Sequence, residues 1–196
     1  LNFSNHDLLV NLGCGSNQLD SINLSVTASL KTIYCASNNL TELDVSNSIS
    51  LYYLGCWSNN ILSLDLSQNV NLTELRCHYN NLHYLNIKNG NNVNFNSNSY
   101  LTGINTTNNQ NLFCINVDSV NYSIQNWTTE NFSIDSWNNF SSNCDVEFFG
   151  CLDSLACNYS SSVTLDNGTC IYVDEICETC EVGVIIENDL DNDGNL

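Results

Sequence analysis

The chain has 196 residues, with 21 acidic side chains against three Lys or Arg and a formal charge of −18; phosphate backbones and anionic membrane surfaces repel such a molecule, which excludes nucleic acid as a natural partner. No apolar run approaches the roughly 18–20 residues that cross a bilayer as a helix, which excludes insertion of that kind. Eleven cysteines are too many for a reducing cytosol and place the chain in an oxidising, extracellular setting, secreted or on a cell surface.

At the N-terminus, "LNFSNHDLLV" has no basic region followed by an apolar stretch and reads as a mature, processed end. Cys14, Cys35, Cys56 and Cys77 then follow at a spacing of 21 residues, inside "LVNLGCGSNQLDSINL", "LKTIYCASNNLTELDV", "LYYLGCWSNNILSLDL" and "LTELRCHYNNLHYLNI". A fixed period of this kind marks a stacked repeat. In each x-L-x-C-x segment, alternation sends Leu12 and Cys14 to one face and Asn11, Gly13 and Gly15 to the other, as a strand requires. One strand per repeat then stacks in parallel, and the following "LTELDVS" or "ILSLDLS" returns the chain as extended or 3₁₀ structure. Asn17, Asn38, Asn59 and Asn80 form a column where a short amide can satisfy the turn backbone of its own and neighbouring coils.

The phrase L-x-x-L-x-C-x-x-N-x-L-x-x-L-x-L resembles a leucine-rich repeat of the short, 21-residue class over roughly residues 8 to 117. The resemblance implies a mainly β fold: a right-handed leucine-rich-repeat solenoid with a concave parallel sheet, followed by a small disulfide-rich module. Beyond residue 88 the cysteine column and the even period are lost, as the closing coils of a solenoid require. "NLFCINVDSVNYSIQNWTTENFSIDSWNNFSSNC" resembles the cap that ends such repeats in secreted surface proteins of gliding-type environmental bacteria. That resemblance implies a Cys114–Cys144 disulfide, with Trp127, Phe132, Trp137 and Phe140 covering the core.

"GCLDSLACNYSSSVTLDNGTCIY", from Gly150, resembles a G-C-x-D-x-x-A-x-N-Y module of the same proteins, and "DEICETCEVGVIIENDLDNDGNL" resembles the acidic connector behind it, stopping mid-motif at Leu196. The expected organisation is repeats over 1–110, cap over 111–147, cysteine-rich module over 148–182 and a calcium-loop-like linker over 183–196.

The cysteine column reads as packing rather than chemistry. Parallel neighbours about 4.8 Å apart lie within disulfide range, but their Cβ vectors point the same way, and a linear ladder does not converge on a tetrahedral metal. Each is a small buried hydrophobe. Cys151, Cys157, Cys170, Cys177 and Cys180 lie in a segment with little apolar content, where cross-links replace a core. The resemblance implies Cys151 with Cys170, leaving Cys157 for Cys177 or Cys180. Asp189, Asp191 and Asp193, followed by Gly194, match the opening of a calcium loop, although the glutamate at its twelfth position lies beyond the end. Calcium is the one cofactor this suggests. His6, His78 and His83 belong to no recognisable catalytic motif, and none of the many carboxylate pairs stands out.

The strand face turned outward carries Thr32, Tyr34 and Ala36, then Tyr53, Gly55 and Trp57, then Glu74, Arg76 and His78. Aromatics beside one of three basic residues suit a platform for a sugar ring or a protein loop, because such residues dominate recognition hot spots. Tyr34, Tyr53, Trp57, Glu74, Arg76 and His78 are the expected binding residues. Glycosylation sequons begin at Asn2, Asn23, Asn39, Asn71, Asn105, Asn121, Asn126, Asn131, Asn139, Asn158 and Asn167. The bacterial resemblance suggests instead O-linked sugars at Ser21, Ser119 and Ser154. Taken together, the sequence points to a non-enzymatic extracellular recognition or adhesion module for a protein or glycan. The competing expectation is a subunit that self-assembles into a glycosylated fibre or sheath, for which a first repeat without an obvious cap would supply a docking end.

Overall fold

The computed structural model describes residues 1–3, 6–25, 27–95, 103–131, 133–144, 149–159, 165–166, 170–173, 178–181 and 184–187. In chain order these form β1 (Asn11–Gly13), β2 (Thr32–Tyr34), β3 (Tyr53–Gly55), β4 (Ser63–Asp65), β5 (Glu74–Arg76), β6 (Tyr84–Asn86), a 3₁₀ turn at Asn92–Asn94, β7 (Ile104–Asn105), β8 (Cys114–Asn116), α1 (Val120–Asn126) and β9 (Asn139–Ser141). Four short strands follow: β10 (Phe149–Gly150), β11 (Leu165–Asp166), β12 (Glu178–Glu181) and β13 (Val184–Glu187). The chain divides into two compact units, Leu1–Asn143 and Cys144–Leu196.

The first unit is a mainly β, leucine-rich-repeat-type solenoid. Its first sheet runs β1-β2-β3-β5-β7, all parallel, with Leu12, Ile33, Leu54, Leu75 and Ile104 in register along its inner face. A 21-residue period makes this possible because each turn returns the same apolar letter to the same place. Coil three buries Leu51, Leu54, Cys56, Ile61, Leu64 and Leu66, and coil four repeats the set as Leu72, Leu75, Cys77, Leu82, Leu85 and Ile87. The ladder cysteines Cys14, Cys35, Cys56 and Cys77 are free thiols, all but Cys14 fully buried. Burial pushes the Cys77 thiol up to about 12 and holds Cys56 well above the ordinary thiol value, so both stay protonated and unreactive.

The asparagine column is a set of interlocking clamps. Asn38, Asn59 and Asn80 each donate through Nδ2 to the carbonyl of the cysteine three residues earlier, at 3.0 Å, and to the cysteine carbonyl of the preceding coil, at 3.1 Å. Each Oδ1 accepts a backbone N–H of the preceding coil, from Leu19, Leu40 and Ile61, at 3.0 Å. Backbone groups of a buried turn that would otherwise be orphaned are thereby paired.

A fifth coil continues the column across an interval of 29 residues that the sequence does not advertise. Asn109 donates to the carbonyls of Cys77 and Thr106 and accepts from Leu82 N, while Thr106, fully buried, takes the cysteine position. Thr106 Oγ1 finds a partner in the carbonyl of Ser133, 3.2 Å away, which a cysteine would use less well.

The return side holds a second parallel sheet, β4-β6-β8-β9. It begins only at coil three: β4 is an edge strand, and residues 42–44 of coil two belong to no ladder. Asp44 and Asp65 would stand side by side in such a ladder, and like charges directly opposite disfavour pairing. One step on, Asn86 Nδ2 donates to Asp65 Oδ1 at 3.2 Å, and the ladder forms. Between these return segments lies a polar cleft of about 650 Å³, lined by Glu42, Asp44, Ser63 and Asp65 among others.

At the far end, Trp127 is fully buried against Phe95, Phe140 and Tyr122, with ring centroids 5.7–6.1 Å apart. Helix α1 starts at Ser119, whose hydroxyl accepts Tyr122 N. Trp137, expected to cover the core, is 40% exposed and donates through Nε1 to the Asn109 carbonyl instead. Phe132 lies outside the described residues.

In the second unit β10 pairs with β11 in parallel and β12 with β13 antiparallel. Cys151 and Cys170 form a disulfide there. Cys114, Cys144 and Cys157 are also disulfide-bonded.

Candidate ligand-binding surface

Three rows of side chains run across the coils on the outward face of the first sheet. Strand register sets Asn11, Thr32, Tyr53 and Glu74 in one row and Gly13, Tyr34, Gly55, Arg76 and Asn105 in the next. The third row, just past the strands, is Gly15, Ala36, Trp57, His78 and Thr107, held by bonds such as Ser16 N to Ala36 O and Ser58 N to His78 O.

Small residues in these rows make room for large ones. The Tyr34 ring lies over Gly15 so closely that any Cβ there would collide with it. A Cβ on Gly55 would sit 2.7 Å from Tyr53 Oη and 2.9 Å from Trp57 Cζ3, so these two side chains close over the glycine between them. Ala36, expected to face outward, is fully buried; it is flanked by Tyr34 of its own coil and Trp57 of the next, whose rings meet edge-to-face at 5.1 Å.

The rings form a continuous row. Trp57 and His78 stack at 5.4 Å with 11° between planes, and His78 meets Tyr79 at 5.5 Å. His78 is half-buried in this row rather than a plain surface histidine, and its Nδ1 has no hydrogen-bond partner. Burial, helped by the Arg76 charge, holds its pKa below the ordinary imidazole value, and the ring is neutral at pH 7. Arg76 donates to Glu74 Oε1 at 2.7 Å, with side chains 22% and 25% exposed. The outward carboxylate of these rows is thus matched by the outward cation. Thr32 Oγ1 donates to Asn11 Oδ1 at 2.7 Å beside them.

All six expected binding residues therefore fall on one face, and Tyr34, Trp57 and His78 touch in sequence. Tyr79 was not among them. The signal for it was its place in the repeat: Ser16, Ser37, Ser58 and Asn108 occupy the same turn position.

Other expected sites separate from this face. Asp189, Asp191, Asp193, Cys177 and Asn167 lie outside the described residues. Among the described residues no group of three or more His, Cys, Asp or Glu is arranged to hold a metal ion, and no helix is long and apolar enough to cross a membrane. Of the sequon asparagines, Asn2, Asn23, Asn39, Asn71, Asn121 and Asn139 are exposed. Asn105, Asn126, Asn131 and Asn158 are half-buried and hydrogen-bonded through their amides to Thr107, Tyr122, Asn126 and Ile171. His6 and His83 are exposed.

No protein-family model and no curated protein sequence matches the chain. Among solved structures it is similar to the functional domain of InlJ from Listeria monocytogenes, which includes a cysteine ladder. The identity is 20% and the TM-score 0.42, over 72% of this chain and 37% of that one.

Proposed function

We propose that the chain is a non-enzymatic, extracellular recognition or adhesion module that binds a protein or glycan on the outward face of its first sheet. The observation that carries this reading is the row Tyr34–Trp57–His78, in unbroken ring contact beside the Glu74–Arg76 pair on a clamped five-stranded sheet. Aromatic rings and arginine held rigid before a partner arrives lose little entropy on binding and concentrate recognition energy.

The test is solid-phase binding of the whole chain to arrays of glycans and of extracellular proteins, with Trp57→Ala and Arg76→Ala run beside it. Loss of about tenfold or more in affinity for the same ligand in Trp57→Ala is the expected result. Full affinity in both variants removes the first sheet from the reading. Sedimentation of the unmodified chain as a filament, unaffected by either substitution, would transfer the reading to the self-assembling subunit.

A further inference from the structure

The geometry points to Tyr79, held in a left-handed turn at the end of the Tyr34–Trp57–His78 row, as a ligand-contacting residue, and we infer that the four rings take a neutral glycan chain laid across coils two to four. The inference rests on the recognition reading and adds to it a residue and a ligand class.

The turn after each strand of the first sheet passes through positive φ without glycine. Ser16, Ser37, Ser58, Tyr79 and Asn108 have φ of 56°, 56°, 53°, 53° and 59°. Asparagine and small polar residues tolerate this region; a bulky side chain there is an outlier that folding alone does not favour. Three other coils make the same turn with serine, so the backbone does not need a tyrosine. Core packing does not need one either, because the Tyr79 side chain is 57% exposed. Its contact is with His78, 5.5 Å away, and the rings then continue to Trp57 at 5.4 Å and Tyr34 at 5.1 Å. Tyr34, Trp57 and His78 come from three successive coils, and Tyr79 widens the end of the row beside His78 in coil four. An unfavourable conformation spent on an exposed ring that extends a row of rings is the pattern of a binding residue.

Charge selects the ligand. In a chain of formal charge −18 an anionic glycan meets general repulsion. A cationic partner is drawn instead to the return side, where Glu42, Asp44 and Asp65 line the cleft. The ring rows are neutral because Glu74 and Arg76 are bound to each other at 2.7 Å. The Tyr34 and Tyr79 hydroxyls and the Trp57 indole N–H offer hydrogen bonds beside apolar ring surface. That combination suits a sugar, with its alternating hydroxyls and C–H faces.

The whole chain is applied to an array of neutral β-glucans, mannans, xylans and galactans printed beside sialylated and sulfated glycans, and the strongest neutral hit is titrated by calorimetry. Tyr79→Ser and Tyr79→Asn should each weaken that hit about tenfold. Their melting temperatures should stay level or rise by about 2–4 °C as the turn is relieved, whereas Tyr79→Phe keeps most of the affinity. Binding confined to sialylated or sulfated glycans, or to no glycan, overturns the ligand class. Full affinity in Tyr79→Ser, or a fall in melting temperature in both the Ser and Asn variants, overturns the role of Tyr79. Loss of the hit in Trp57→Ala with full affinity in Tyr79→Ser leaves the recognition reading standing without this residue. Full affinity in Trp57→Ala as well removes both.

Discussion

Asn59 holds its own coil to the one before it: its Nδ2 donates to the carbonyl of Cys35, 24 residues earlier, at 3.1 Å, while its Oδ1 takes the N–H of Leu40 at 3.0 Å. Asn59→Ala would orphan that N–H and take one of two asparagine donors from each of the Cys35 and Cys56 carbonyls, which keep Asn38 and Asn80, in a turn closed to water. We expect a loss of about 2–4 kcal/mol, read as a lower urea midpoint at unchanged slope. Asn17, which is exposed and whose side chain bonds within its own turn, to the Cys14 and Gly15 carbonyls, should cost about 1 kcal/mol or less as Ala.

The cysteine ladder separates packing from reactivity. Cys56→Ala removes one buried sulfur and should cost about 1–2 kcal/mol, whereas Cys56→Ser buries a hydroxyl in a leucine environment and should cost more, about 2–3 kcal/mol. A thiol reagent added to the native protein should leave Cys35, Cys56 and Cys77 unmodified until unfolding and label Cys14 before them, because of these four ladder thiols only Cys14 is partly exposed. Rapid labelling of Cys56 under native conditions would contradict this packing.

His78 gives the first sheet a response to acid. Its pKa in the fold is depressed, so between the unfolded value of about 6.5 and the lower folded value the unfolded chain binds the proton and the native chain does not. Stability is therefore complete above about pH 6.5 and falls as the pH drops through and below it. His78→Gln should flatten this part of a melting-temperature profile against pH while leaving the carboxylate region unchanged.

Gly55 decides where two rings lie. A methyl group there meets Tyr53 Oη and Trp57 Cζ3, both ends of side chains that can swing away, so Gly55→Ala should cost only about 1 kcal/mol. The displaced rings should nevertheless weaken ligand binding. A variant with a melting temperature lower by only about 2–4 °C and with clearly reduced affinity is the expected outcome in a paired calorimetric measurement.

The period of 21 made much of the first unit legible, because the positions of Leu54, Cys56 and Asn59 return in every early coil. Coil five escaped since Thr106 replaces the cysteine and eight extra residues precede it relative to that period, even though Asn109 keeps every bond of the column. The return side read as extended or 3₁₀, and it is extended; it closes into a ladder only from β4 onward, where Asp65 meets Asn86, a relation between coils that no single repeat displays. The outward face was legible as letters and not as surface. Ala36 and Gly55 look exposed by alternation, but the rings beside them fold down over the sheet. Tyr79 lay in a turn position where the serines around it suggested nothing more than a turn.

The uneven second sheet has a mechanical meaning. Coils three to five are joined along two ladders, the first sheet and β4-β6-β8-β9, whereas coil two meets coil three through the first sheet and, on the return side, through separate bonds such as Leu62 N to Thr41 O and Asn69 Nδ2 to Val45 O. A load that bends the solenoid should therefore widen it first at residues 42–44, which belong to no ladder. The segment carrying Trp57, His78 and Tyr79 should hold its spacing while its neighbour yields. Such a molecule would act as a graded spring, more compliant at coil two than where the rings are.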